Sequence, residues 1–154
     1  MTKSTSEISW YWKAFESLST SEMYDIFALR IAVFVVEQDC PYQDADGKDK
    51  PAFHLFGMAD NKMVAYSRIL PPGVSYPEVS LGRVAIDPAF RGKGWGHLLM
   101  QETMQRIQSE FGKVPVKISA QEYLIAYYEH YNFQTQGKGY LEDDIPHIQM
   151  LYTP

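Results

Sequence analysis

The run Arg91-Gly92-Lys93-Gly94-Trp95-Gly96 has the composition of an anion cradle. Glycines let the main chain approach an anion closely. Successive N–H groups at a helix start lack acceptors, and the helix dipole adds partial positive charge there. Arg91 and Lys93 add full charges. The chemistry on offer is the holding of a phosphate or pyrophosphate. Spacing alone leaves a second reading open, a glycine-rich strand-to-helix turn with no ligand. A Rossmann dinucleotide site would place such a run in a first βαβ unit, with an acidic residue about 20 positions on. Here the run lies past mid-chain, behind two antiparallel-looking strands. No Gly-Lys-Ser/Thr follows, which excludes a P-loop.

The chain that must position this run has 154 residues, 14 Lys plus Arg against 19 Asp plus Glu, a formal charge of −5 and 45% apolar residues. These values predict one folded domain with its own core. The negative balance argues against a nucleic-acid binder, which needs a cationic surplus. Cys40 is the single cysteine, so no intrachain disulfide and no Cys/His zinc cluster can form. No signal peptide or membrane span is readable, and the expectation is a cytoplasmic protein without membrane contact.

Local patterns supply the elements. The aromatic run at 10–15 reads as a first strand, and Ser19 with Glu22 has capping-box spacing ahead of a helix running to about Glu37. Turn residues fill 38–51, a long loop of the kind that often carries function. Strand-like runs at 53–59 and 63–70 suggest a hairpin, and a further strand spans 79–86. The glycine run opens a helix that stops at Gly112, followed by a strand at 114–119 and a short helix ended by Asn132. Closing strands are expected at 133–136 and 148–152, with an acidic loop at 142–147 between them. The order predicts a mixed α/β domain built on one sheet.

With the strand before it and the helix after it, the segment at 84–99 resembles the central motif of the GNAT acetyltransferases, in which Arg/Gln-x-x-Gly-x-Gly/Ala joins a strand to a helix. Arg91, Gly94 and Gly96 fill that pattern. The segment at 126–133 is similar to the family's Ala-x-x-Phe-Tyr-x-x-x-Gly-Phe ending, with Tyr127 in place of Phe and Asn132 in place of Gly. Leu29-Arg30, the run 33–38, Cys40-Pro41-Tyr42, Asp44-Ala45-Asp46, the run 65–69, Gly82-Arg83-Val84 and the tail 144–148 resemble the ElaA-like bacterial branch of that family. The resemblance covers nearly the whole chain and implies a single GNAT domain over 8–153 behind a short polar tail at 1–7.

The resemblance implies a mostly antiparallel sheet in which the strand ending at Ile86 splays from the one ending near Ala120. Acetyl-CoA would enter that gap. Val84, Ala85 and Ile86 would lie along the pantetheine arm, and Arg91, Gly92, Lys93, Gly94, Trp95, Gly96 and His97 would hold the pyrophosphate. No metal is implied. The reaction would be direct transfer of an acetyl group to an amine of a small molecule or polypeptide. Tyr128 matches the family's proton donor to the departing thiolate; its position also suits simple packing. An amine with a pKa near 10 needs a route for its proton. Glu37, His54 and His147 are candidates, with His147 preferred for its place after an acidic loop and its match to the branch; a water chain is the alternative. Asp44, Asp46, His54 and Asp143 are expected on the acceptor side, where carboxylates would favour a cationic substrate. Asp44 and Asp46 also resemble the start of an EF-hand, but the later ligand positions are missing, which argues against calcium. Cys40 reads as an incidental loop thiol. A rival reading is a GNAT-like module that senses acyl-CoA without turnover. The resemblance is also compatible with a homodimer through the closing strands.

Overall fold

The computed structural model describes residues 7–154. The tail expected at 1–7 therefore lies, apart from Glu7, outside the described residues. Strand β1 (Ser9–Ala14) leads to a capping box in which the Glu22 amide donates to Ser19 Oγ at 3.0 Å and the Ser19 amide donates to Glu22 Oε1 at 2.9 Å. Two donors that a helix start would otherwise orphan are thereby satisfied. Helix α1 (Thr20–Ile31) buries Ile26, Leu29 and Arg30 and continues to Glu37 as π-helical turns (Ala32–Glu37). The wider turns re-aim its last residues.

Strands β2 (Phe53–Ala59) and β3 (Lys62–Leu70) form a tight hairpin whose turn residues Asp60 and Asn61 have φ of +52° and +63°. That is the geometry a right-twisted hairpin favours and Asp and Asn tolerate. Strand β4 (Val79–Ile86), helix α2 (Trp95–Phe111), strand β5 (Val116–Gln121) and helix α3 (Ile125–Glu129) follow. Gly112 at φ +85° ends α2, and Asn132 at φ +70° turns the chain after α3.

The closing elements differ from expectation. Strand β6 (Phe133–Glu142) and strand β7 (Ile145–Tyr152) run up to a two-residue turn at Asp143 and Asp144, with φ of +51° and +62°. The supposed acidic loop is thus a hairpin tip, with Glu142 and His147 inside strands. β6 is an edge strand exposed over most of its length, so its sequence shows none of the apolar alternation that marks a strand.

The seven strands form one sheet in the order β1-β2-β3-β4-β5-β7-β6. Neighbours run antiparallel except β4 and β5. Successive residues face opposite layers: Leu55 and Val64 join Leu99, Met100 and Ile107 beneath α2, whereas Phe56 and Met63 join Ile26 and Leu29 beneath α1. A sheet covered on both faces needs apolar residues on both. Among the described residues no helix is long and apolar enough to cross a membrane.

Two irregularities of β4 shape the site. It pairs with β5 only at Val79 with Val116 and Ser80 with Lys117, and beyond those pairs the two strands part. In its ladder with β3, Tyr66 pairs with Ala85 but Arg68 pairs with Gly82, so Arg83 and Val84 together oppose Ser67. Arg83 sits in this bulge at φ +52°. A bulge leaves backbone groups of the extra residue outside the ladder.

Candidate active site

The parting of β4 and β5 opens a cleft of about 1230 Å³. At one end lies the glycine run. Gly92 and Gly94 have φ of +83° and +77°, and a Cβ on either would meet nothing within 4 Å. The backbone therefore faces open space in a conformation that glycine adopts without strain. The first intrahelical bond of α2 is from the Leu98 amide to the Gly94 carbonyl at 3.3 Å, so the amides of Trp95, Gly96 and His97 have no helical acceptor. Tyr127 braces this turn by donating to the Gly96 carbonyl at 2.8 Å. Arg91, Gly92, Gly94, Trp95, Gly96 and His97 all line the cleft. Lys93 does not; its Nζ lies 5.8 Å from the Trp95 ring centre, and Trp95 itself is buried against Phe90. Val84, Ala85 and Ile86 of β4 also line the cleft, as expected. Open backbone amides and a long apolar passage fit a phosphate-bearing ligand with an extended arm.

At the other end the loop at 38–52 crosses the sheet, tied down by three arginines and three aspartates. Buried Arg30 meets Asp49 Oδ1 at 2.6 Å, and its Nε stands 2.9 Å from Asp44 Oδ2 without hydrogen-bond alignment. Arg68 grips Asp46 with both terminal nitrogens, at 2.8 and 2.9 Å, and reaches Asp49 at 3.0 Å. Arg83, in the bulge, donates to Asp44 Oδ1 at 2.9 Å and to Asp46 Oδ2 at 3.3 Å. Burial opposes ionisation of Asp46, but the Arg68 contacts outweigh it and hold the carboxyl well below its usual range.

This network corrects part of the acceptor assignment. Asp44 is buried behind the cleft wall, and Asp46 lines the cleft with its charge matched by Arg68 and Arg83. Neither offers a free anionic field. His54 is 0% exposed and lies outside the cleft. Its Nε2 contacts the Asp49 carbonyl at 2.9 Å, which can only accept, so Nε2 carries the proton and Nδ1 accepts from Tyr66 Oη at 2.6 Å. Burial pushes its pKa down. His54 is a neutral core residue that holds the loop. The sequence missed Arg68 and Arg83 because a charged residue inside a strand reads as solvent-facing until its partner, here a loop over 20 positions away, is known.

Asp143, at the hairpin tip, does line the cleft. So do three of the four residues singled out for proton transfer, His54 being the exception. Tyr128 on α3 is 7% exposed, and its hydroxyl has no hydrogen-bond partner among the described residues. Burial pushes its phenol up, so it stays protonated at neutral pH. His147 on β7 presents Nδ1 to the Ile145 carbonyl at 2.7 Å; the carbonyl accepts, Nδ1 donates, and Nε2 keeps its lone pair in the neutral ring. Glu37 is engaged by Arg91 at 2.5 and 2.7 Å. Those bonds hold its carboxyl below the usual range, which makes it a weak proton acceptor.

The cleft is bridged as well as lined. Gln38, at the end of the first helix, and Gln121, at the end of β5, exchange amide hydrogen bonds at 3.3 and 3.2 Å. Cys40 Sγ donates to the Asp143 carbonyl at 3.5 Å. Both contacts join the loop at 38–52 to the β5–β7 side.

A splayed parallel pair, a bulged strand and a glycine-started helix define an acyltransferase fold, and residues 25–154 match the family described as Acetyltransferase (GNAT) domain. The chain belongs to that family. It is similar to protein ElaA of Escherichia coli, with 39% identity over 145 residues covering 93% of this chain and 95% of that protein. The crystal structure of that protein superposes with a TM-score of 0.88 over 95% of this chain and 99% of that one. An acyl-CoA N-acyltransferase from Pseudomonas aeruginosa gives a TM-score of 0.91 at 42% identity, over 96% of this chain and all of that one. A GNAT family acetyltransferase from Elizabethkingia anophelis, with acetyl-CoA bound, shares the fold at 11% identity, with a TM-score of 0.69 over 96% of this chain and 98% of that one.

Proposed function

We propose that this protein is a cytoplasmic N-acetyltransferase that moves an acetyl group from acetyl-CoA directly to a primary amine. The observation that carries this reading is the β4–β5 gap, which runs from the open glycine turn of α2 to the Tyr128 hydroxyl within one cleft. When bound there, acetyl-CoA supplies a thioester carbonyl and a sulfur leaving group.

The chain's own residues then have distinct tasks. Backbone amides of residues 92–97 hold the phosphates, with Arg91 nearby as a charge. Backbone groups of Val84, Ala85 and Ile86 extend the sheet toward the pantetheine arm, and the bulge at Arg83 and Val84 offers N–H groups outside the ladder to polarise the carbonyl oxygen. Tyr128 keeps a proton for the departing sulfur. His147 Nε2, with its lone pair available, takes the proton that the amine loses. Asp143 stands at the acceptor side. No lysine or arginine pairs with Glu142 or Asp143 among the described residues, so these two cleft-lining carboxylates attract a cationic acceptor.

The test is release of free thiol from acetyl-CoA in the presence of spermidine, tyramine or a lysine-containing peptide. Thiol release that depends on an amine, with acetylated amine found by mass spectrometry, is the expected result. Acetyl-CoA that binds but is not consumed with any amine would favour the sensing module instead.

A further inference from the structure

Beyond His147, we propose that Glu142 is the relay carboxylate of the acceptor site, receiving the proton that the His147 imidazole takes up and carrying it out to solvent. The inference rests on the acyl-transfer reading above. It starts from the hairpin tip, where β6 lays two side chains against His147. Tyr140, its register partner, stacks its ring on the imidazole at 6.2 Å between centres and 22° between planes. Glu142, two residues on, brings Oε2 to 3.6 Å from His147 Nε2.

The carboxylate is itself oriented. Ser119 on β5 donates to Glu142 Oε1 at 3.2 Å, so the Tyr140 hydroxyl must donate to Ser119 Oγ. A chain Tyr140–Ser119–Glu142 therefore fixes one carboxylate oxygen and aims the other at Nε2. The Ile145 carbonyl fixes the opposite ring nitrogen as N–H. His147 is thus held at Nδ1, and its Nε2 faces the carboxylate at 3.6 Å, a contact that becomes an ion pair once Nε2 takes up a proton. The side chain of His147 is 7% exposed, whereas that of Glu142 is 49% exposed, so the pair joins a shielded nitrogen to bulk water.

The proton account closes. As the amine nitrogen bonds to the acetyl carbon, its surplus proton passes to the Nε2 lone pair. The imidazolium then pairs with Glu142, whose carboxylate accepts the proton and gives it to water. The carbon–sulfur bond breaks separately, and the sulfur takes its proton from Tyr128, which recovers one from solvent. Tyr140 and Glu142 on β6 stand against the His147 ring, Glu122 after β5 lies near its backbone, and Asp143, Tyr76 and Cys40 line the same cleft. Among the described residues, Glu142 is the one of these that makes an ion-pair contact with the ring.

The experiment compares the parent with Glu142→Gln and Ser119→Ala, using spermidine, tyramine and the lysine peptide as acceptors and the response of kcat to added formate as a second readout. In Glu142→Gln the ring loses the carboxylate that would take its proton. kcat falls about tenfold, and added formate restores part of it. Ser119→Ala keeps the charge but loses the aim, and gives a smaller fall in kcat. Asp144→Asn removes a charge from the same turn but outside the cleft lining, and leaves both readouts at parental values. Parental kcat in Glu142→Gln overturns the proposal, as does a lowered kcat that formate leaves unrestored. A parent that acetylates none of the amines overturns the acyl-transfer reading and the relay with it; an active parent with an indifferent Glu142→Gln overturns the relay alone.

Discussion

A phenol with a buried ring that lines an open cleft, its hydroxyl bonded to no neighbouring side chain, is free to serve a ligand or a reaction. Tyr128 is in that position, one residue from Tyr127, whose hydroxyl is used on the Gly96 carbonyl. The two neighbours look alike in sequence and differ in task. Tyr128→Phe keeps the ring packing and removes only the proton donor. kcat is expected to fall by about 10²–10⁴-fold with acetyl-CoA affinity nearly unchanged. Single-turnover kinetics check this; an unaltered chemical step would show that the sulfur departs without help from Tyr128.

At the scale of elements, the start of α2 depends on backbone conformation more than on side chains. Gly94→Asp puts a Cβ at φ +77° and a carboxylate in front of the open amides. Acetyl-CoA raises the melting temperature of the parent by mass action, and this variant should lose that rise; an undiminished rise would remove the phosphate assignment from the loop. The turn was legible in sequence because its chemistry is local: glycines, a strand before and a helix after. The capping box at Ser19 and the Asp60-Asn61 hairpin were legible for the same reason. The second hairpin was not, since Asp143-Asp144 reads as loop acidity and β6 has no buried face to impose a pattern. His54 misled because a histidine's sequence neighbours do not reveal burial. Glu142 was read only as part of an acidic loop, and its pairings escaped notice because Ser119 lies on a strand that only the sheet order brings beside it.

The whole molecule depends on the buried charges that pin the crossing loop to the sheet. Arg30 is fully buried between Asp44 and Asp49, so Arg30→Met leaves two carboxylates short of a partner. Chemical denaturation should show a loss of about 3–5 kcal/mol, and the melting temperature should fall by about 10 °C. The network also sets a pH dependence. Burial depresses the pKa of His54 in the folded state, so below about 6.5 the unfolded chain takes up a proton that the folded chain refuses. The stability contributed by neutral His54 is complete above that pH and declines as pH falls toward the folded-state value. Asp46 and Asp49, whose folded pKa values are also depressed, contribute above the ordinary carboxylate range, and their share is lost at still lower pH. Denaturation curves between pH 7 and pH 5 should therefore show a steeper loss for the parent than for His54→Gln. Equal slopes would mean that His54 is not buried neutral.

The amide pair of Gln38 and Gln121 spans the passage between the parted strands. Two amide hydrogen bonds tie one wall of the cleft to the other, and a guest that needs the walls further apart has to exchange those bonds for contacts of its own.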